Sequence, residues 1–133
     1  MPKKTTHDAS GKPKILVVED DSFLAGMYVT KLGLEGFSVD LAGDGKEGLK
    51  KAREWRPDLI LLDIVLPIMD GFAMLADLKA DSEVRATPVI LLTNLGAKGD
   101  VEKGLALGAA DYLIKAHFMP SEVVEKVKRL LAS

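Results

Sequence analysis

Two textures alternate along the chain. KILVV (14–18), LILL (59–62) and VILLT (89–93) are compact, mostly aliphatic runs, as expected of strands covered on both faces. FSVDL (37–41) alternates apolar and polar residues, and DYLI (111–114) makes a fifth short strand. The stretches between them are longer and have helical spacing. Residues 22–34 place Leu24, Met27, Tyr28 and Leu32 at that spacing and stop near Gly36. Residues 45–55 are mostly polar and are closed by Pro57. Asp70 is placed to cap a helix from 71 to about 79. Residues 97–107 predict a weak helix ended by Gly108, and 120–132 predict a strong one with Val123, Val124, Val127, Leu130 and Leu131 on one face.

Strict alternation of strand and helix implies an α/β fold: a doubly wound, five-stranded parallel sheet with crossover helices on both faces. In such a sheet the functional site lies at the carboxyl ends of the strands. Composition fits this picture. The chain has 133 residues, enough for one domain, and is 47% hydrophobic, enough for a substantial core. A net charge of -2 gives no basic excess to suggest nucleic acid as a direct partner. The absence of cysteine excludes disulfides and thiolate metal sites and agrees with a cytoplasmic location. Residues 1–13 read as a polar, flexible tail with no secretory signal, and no window spans a membrane. The two histidines, His7 and His117, are too isolated in sequence to assign as ligands.

The strand ends carry the chemistry. Glu19, Asp20 and Asp21 follow the first strand, Asp63 the third, Thr93 ends the fourth and Lys115 follows the fifth. Each has an ordinary explanation when taken singly. An acid after a strand often caps the next helix, as Asp21 or Ser22 does here, and a strand-end threonine or lysine is commonplace. Their joint arrival at one rim is not. Two carboxylates about 4 Å apart at an effective dielectric near 20 repel by roughly 4 kcal/mol, which a divalent cation relieves. Oxygen ligands without histidine or cysteine favour Mg²⁺. Mg²⁺ prepares a site for a phosphoryl group, with Asp63 as nucleophile, Lys115 neutralising a phosphoryl oxygen and Thr93 donating to another.

At this point the chain resembles the receiver domain of two-component response regulators. ILVVEDD, LILLDIVLPIMDG (the pattern D-x₃-P-x₃-G), VILLTN and GAADYLIKA occur in the family's order, with 14–133 as the receiver domain. The resemblance implies a flavodoxin-like (βα)₅ fold with strand order 2-1-3-4-5. It implies that Asp63 is the phosphoacceptor and that Glu19, Asp20, Asp63 and the backbone carbonyl of Val65 hold Mg²⁺. Thr93 and Tyr112 match the switch pair, and Lys115 the site lysine. The implied partners are a histidine kinase or histidine phosphotransfer protein and a downstream protein. That partner would meet the fourth helix, fifth strand and last helix, where Lys98, Lys103, Tyr112, Lys126 and Arg129 are candidates. The expected state is a monomer or a weak phosphorylation-dependent dimer.

Several positions depart from the family pattern. Ala116 stands where many receivers have proline, so a trans peptide is expected after Lys115, since a cis bond before a non-proline residue costs about 2.5–4 kcal/mol. Met119 cannot cap the last helix with its side chain. Asn94, Val65 and Leu95 flank the site, and neither apolar side chain can orient a hydrolytic water. Slow self-dephosphorylation is therefore expected, without enzymatic turnover of a second substrate. Gly99 and Gly104 lie inside the fourth helix, each costing about 1 kcal/mol relative to alanine. They suggest a pliable element, unless Gly104 serves close packing. The chain ends with the last helix, consistent with a stand-alone receiver or a fragment of a longer protein. Two other readings compete: a phosphorylation-independent adaptor of the same fold, and an aspartate-nucleophile phosphohydrolase. The second would need a D-x-D motif after the first strand, which Glu19-Asp20-Asp21 does not supply. A flavin-binding protein of this topology would need a hydroxyl-rich phosphate loop there.

Overall fold

The computed structural model describes residues 8–94, 97–115 and 119–132. The described elements alternate as β1 (Lys14–Val18), α1 (Ser22–Leu34), β2 (Ser38–Ala42), α2 (Gly45–Trp55), β3 (Leu59–Asp63), α3 (Gly71–Ala80), β4 (Val89–Thr93), α4 (Lys98–Ala106), β5 (Asp111–Ile114) and α5 (Pro120–Leu131). The sheet order is β2-β1-β3-β4-β5 with every pair parallel, which is the expected flavodoxin-like architecture. No helix among the described residues is long and apolar enough to cross a membrane.

Alternation along each strand sorts the core into two halves. Leu16, Val18, Ile60, Leu62, Val89 and Leu91 face α2 and α3, packing with Leu49, Ala52, Met74, Leu75 and Leu78. Ile15, Val17, Leu59, Leu61, Ile90 and Leu92 face α1 and α5, packing with Tyr28, Leu32, Val123, Val124 and Val127. Burying one such side chain contributes about 1.5–3 kcal/mol, so the central strands hold the sheet together. They also make the carboxyl rim a stiff platform.

Helix ends follow local chemistry. The Asp21 carboxylate accepts from the N–H groups of Phe23 and Leu24, Asp44 from Glu47 and Asp70 from Ala73. Neither Ala97 before α4 nor Met119 before α5 makes a side-chain cap bond. Several boundaries differ from the sequence reading by one residue, two of them instructively. Phe37 belongs to the stop of α1, donating to Leu32 O at 3.1 Å around Gly36 (φ 91), so β2 starts at Ser38. β3 runs on through Asp63, which pairs with Leu92.

The glycines of α4 divide. A Cβ on Gly104 would lie 1.9 Å from Leu91 Cδ1, so this glycine lets the helix sit close on the sheet. A Cβ on Gly99 would meet open space. Ahead of β1, Asp8 closes a turn by accepting from the backbone N–H groups of Ser10 and Lys12. Residues 1–7, with His7, lie outside the described residues, as do Leu95, Ala116 and His117 and therefore the expected trans peptide after Lys115.

Candidate functional site

Parallel register builds the site directly. Val18 pairs with Leu62, so the residues that follow them, Glu19 and Asp63, emerge side by side at the rim. Both are buried, at 3% and 2% exposure, whereas Asp20 is exposed. Carboxylate oxygens of Glu19, Asp20 and Asp63 lie within 4.8 Å of one another. Lys115, at the end of β5, reaches across the mouth. Its Nζ lies 2.9 Å from Asp63 Oδ2 and 3.0 Å from Glu19 Oε1. Only the contact to Asp63 is directed as a hydrogen bond, and both Glu19 oxygens lack a hydrogen-bond partner.

Two buried acids sharing one ammonium cannot both be comfortable. Burial, and then the neighbouring Asp63, push the Glu19 carboxyl far above its ordinary range. For Lys115, burial favours the neutral amine, but the hydrogen bond to Asp63 and the neighbouring Asp63 and Glu19 carboxylates outweigh it and hold the lysine charged. A buried carboxylate that shares one ammonium and makes no directed hydrogen bond, beside two more carboxylates and with no imidazole or thiol among them, fits a hard divalent ion.

The remaining candidates are placed as follows. Thr93 is buried, and its hydroxyl donates to Leu113 O at 3.3 Å, toward β5. Tyr112 is 37% exposed on the outer side of β5, with Lys126 Nζ 5.9 Å from its ring centroid. Val65 sits on the β3–α3 loop; its side chain is exposed and its N–H donates to Asp63 Oδ1 at 3.2 Å. Asn94 is exposed beside Thr93. The five side chains predicted to form the site therefore converge on one rim, with the Thr93 hydroxyl turned to Leu113 O. Sequence reasoning missed the backbone scaffold of the loop, namely the close approach of Gly45 and the left-handed Ile68 (φ 69). The pairs Asp44-Gly45 and Asp70-Gly71, each a cap followed by a glycine, were the available signal.

Comparison with known proteins agrees with this geometry. The response regulator receiver domain family matches residues 15–128. The DNA-binding response regulator MtrA of Mycobacterium tuberculosis is 44% identical over 120 residues, covering 90% of this chain and 51% of MtrA. The probable transcriptional regulator ycf27 of Guillardia theta is 36% identical over 124 residues, covering 93% of this chain and 47% of that protein. The chain thus spans about half the length of these curated relatives. Among solved structures, chemotaxis protein CheY4 of Vibrio cholerae superposes with a TM-score of 0.83 at 31% identity, covering 90% of this chain and 98% of that one. The receiver domain of sensor histidine kinase PA1611 from Pseudomonas aeruginosa, solved with magnesium in its active site cleft, superposes at 0.85 with 33% identity, covering 92% and 99%. A CheY-like, doubly wound receiver fold is thereby defined. This chain belongs to the response regulator receiver domain family of two-component signalling.

Proposed function

We propose that the chain accepts a phosphoryl group on Asp63 from a histidine kinase or histidine phosphotransfer protein and uses it to change the face formed by α4, β5 and α5. The observation that carries this reading is the buried Asp63 carboxylate held at 2.9 Å by Lys115, an ammonium it shares with the buried Glu19. Glu19, Asp20, Asp63 and the Val65 carbonyl would hold Mg²⁺. When bound, the ion neutralises the clustered carboxylates and the incoming phosphoryl oxygens.

The chain's own residues account for the rest. Asp63 is fixed by β3 and by its bonds to Lys115 and the Val65 N–H, so it meets the donor without reorienting. A carboxylate oxygen of Asp63 forms a bond to phosphorus as the phosphorus–nitrogen bond of phosphohistidine breaks. The electron pair returns to the imidazole, which takes up a proton. Lys115 stays charged and balances the added negative charge. The Thr93 hydroxyl then leaves Leu113 O and donates to a phosphoryl oxygen. A neutral hydrogen bond contributes only about 0.5–1.5 kcal/mol net, so a charged acceptor outbids it. Movement of Thr93 frees space toward which the exposed Tyr112 ring turns, and the outer face changes shape. The chain turns over no substrate of its own.

Slow loss of the phosphoryl group follows from Val65, whose apolar, exposed side chain cannot aim a water at phosphorus. Val65→Asn is expected to shorten the phosphoryl lifetime several-fold in a phosphate-release assay. The central test is intact mass after incubation with Mg²⁺ and acetyl phosphate. One phosphoryl adduct is expected, absent in Asp63→Ala. No adduct would favour the phosphorylation-independent adaptor, and continuous phosphate release would favour the phosphohydrolase.

A further inference from the structure

The loop between β3 and α3 is held at its tip by a different element. Gly45, the first residue of α2, donates its N–H to Met69 O at 3.0 Å. A Cβ at position 45 would lie 2.1 Å from that same oxygen and 2.9 Å from its carbon, backbone atoms that cannot rotate aside. Helix α2 is oriented for this contact by its cap, the Asp44 carboxylate accepting from Glu47 N–H at 2.7 Å. One of the N–H groups that every helix leaves unpaired at its start is thereby spent on the loop.

What the contact holds is a strained conformation. Met69 N–H donates to Pro67 O at 2.7 Å, closing a three-residue turn around Ile68 at φ 69. Such a turn is rare, and a β-branched residue at positive φ is an outlier that persists only where its surroundings over-determine it. The Ile68 side chain, 79% exposed, makes no packing that would explain it. The constraint comes from both ends of the loop: Gly71 N–H on Ile64 O at 2.8 Å, and Gly45 on Met69 O. Between those anchors lies Val65.

We infer that Gly45 is a positioning residue for the cation site, acting through the backbone of the β3–α3 loop to set where the Val65 carbonyl stands relative to Asp63. The inference rests on the phosphoacceptor reading above and adds to it a residue from an element that carries none of the proposed ligands. Groups that orient a metal's ligands without touching the metal commonly contribute 10–100-fold to affinity. Displacing Met69 O by a Cβ is expected to fall at the low end of that range, because the Gly71 anchor remains.

The test is Mg²⁺ titration calorimetry on the full chain, paired with thermal unfolding in chelator. Gly45→Ala is expected to raise the Mg²⁺ Kd roughly 10-fold. Its rate of adduct formation with acetyl phosphate should fall at low Mg²⁺ and return toward the wild-type rate at saturating Mg²⁺. Gly43→Ala, in the same connection but with open space around a Cβ, should leave the Kd unchanged. A Gly45→Ala protein that melts lower in chelator yet binds Mg²⁺ as tightly as wild type would show a purely structural glycine and overturn the inference. Should Gly45→Ala fail to fold, Asp44→Ala decides. It frays the start of α2 without adding an atom to the loop and is expected to raise the Kd about 3-fold, the scale of a lost helix cap. An unchanged Kd there would overturn the inference. A wild-type chain that takes up no Mg²⁺ would overturn the phosphoacceptor reading and this inference together. Wild-type binding with unaltered variants would overturn the inference alone.

Discussion

The two sides of the sheet's rim are built differently. On the side of α2, β3 and α3, every helix start has a carboxylate cap, and backbone meets backbone at Gly45 and Gly71. On the side of α4, β5 and α5, neither helix start has a side-chain cap, β5 is only partly buried, and the hydroxyl linking β4 to β5 is held by one bond of 3.3 Å. The contrast is what the proposed function would require. Transfer of a phosphoryl group would tolerate little displacement of nucleophile and cation, and contacts that cannot relax suit that side. A face that changed shape would need alternatives within a few kcal/mol, and weak, replaceable contacts suit the other side.

Alanine at the rim glycines is the most direct way to break this comparison. Gly71→Ala should give the largest effect. Its Cβ would stand 2.2 Å from Asp63 O and 2.8 Å from Ile64 Cα, so the loop or the strand must move. A loss of about 3 kcal/mol in urea unfolding is expected, the upper part of the overpacking range. A loss below the roughly 0.5 kcal/mol of an ordinary surface change would mean that the stiff side is no stiffer than the other.

The pH dependence of stability is next in size. Glu19 is raised from an ordinary 4.5 to about 8, burial being the largest cause. The folded chain therefore keeps a proton that the unfolded chain has lost over that interval. The stability this contributes is fully present below pH 4.5 and is lost as pH rises toward 8. In chelator, Tm should fall between pH 6 and pH 8.5. Added Mg²⁺, which needs the ionised carboxylate, should raise Tm more at pH 8.5 than at pH 6. A Tm in chelator that rises over this interval would contradict the assignment of the buried proton to this site.

On the side of α4 the effects should be smaller, and its two glycines should differ in sign. Gly104→Ala meets Leu91 Cδ1, the end of a rotatable side chain, and should cost about 1–2 kcal/mol after the gain in helix propensity. Gly99→Ala meets nothing and should stabilise by about 0.5–1 kcal/mol. If pliability of α4 matters for output, Gly99→Ala should also slow hydrogen exchange across 98–106 without altering the amount of Asp63 adduct. Exchange there already as slow as in β3 would remove the contrast.

Most of the fold was legible in the chain because its signals are local. Aliphatic runs of four or five residues bounded by turns are the mark of strands buried on both faces, and strands alternating with helices are characteristically wound in parallel. Polar residues at the ends of those runs necessarily collect at one rim, which is how Glu19, Asp63, Thr93 and Lys115 could be grouped before any distance was known. The direction of each side chain was beyond that reasoning. Sequence grouped Thr93 with the site but could not say which acceptor its hydroxyl takes, and the neighbouring strand supplies it as Leu113 O. Gly104 could be read as pliability or as packing, and only the facing Leu91 decides for packing.

The sequence by itself determined the element order, the parallel sheet and the set of chemical groups at its mouth, because periodicity and residue type act over a few neighbouring positions. Tertiary structure alone decided which groups are satisfied and which are held. Glu19 and Asp63 must share one ammonium because register places them side by side beneath a single lysine. Ile68 is strained because Gly71 and Gly45, the latter 23 positions before Ile68, fasten its loop. Such close approaches depend on the distance between elements far apart in the chain, and no local pattern of residues encodes that distance.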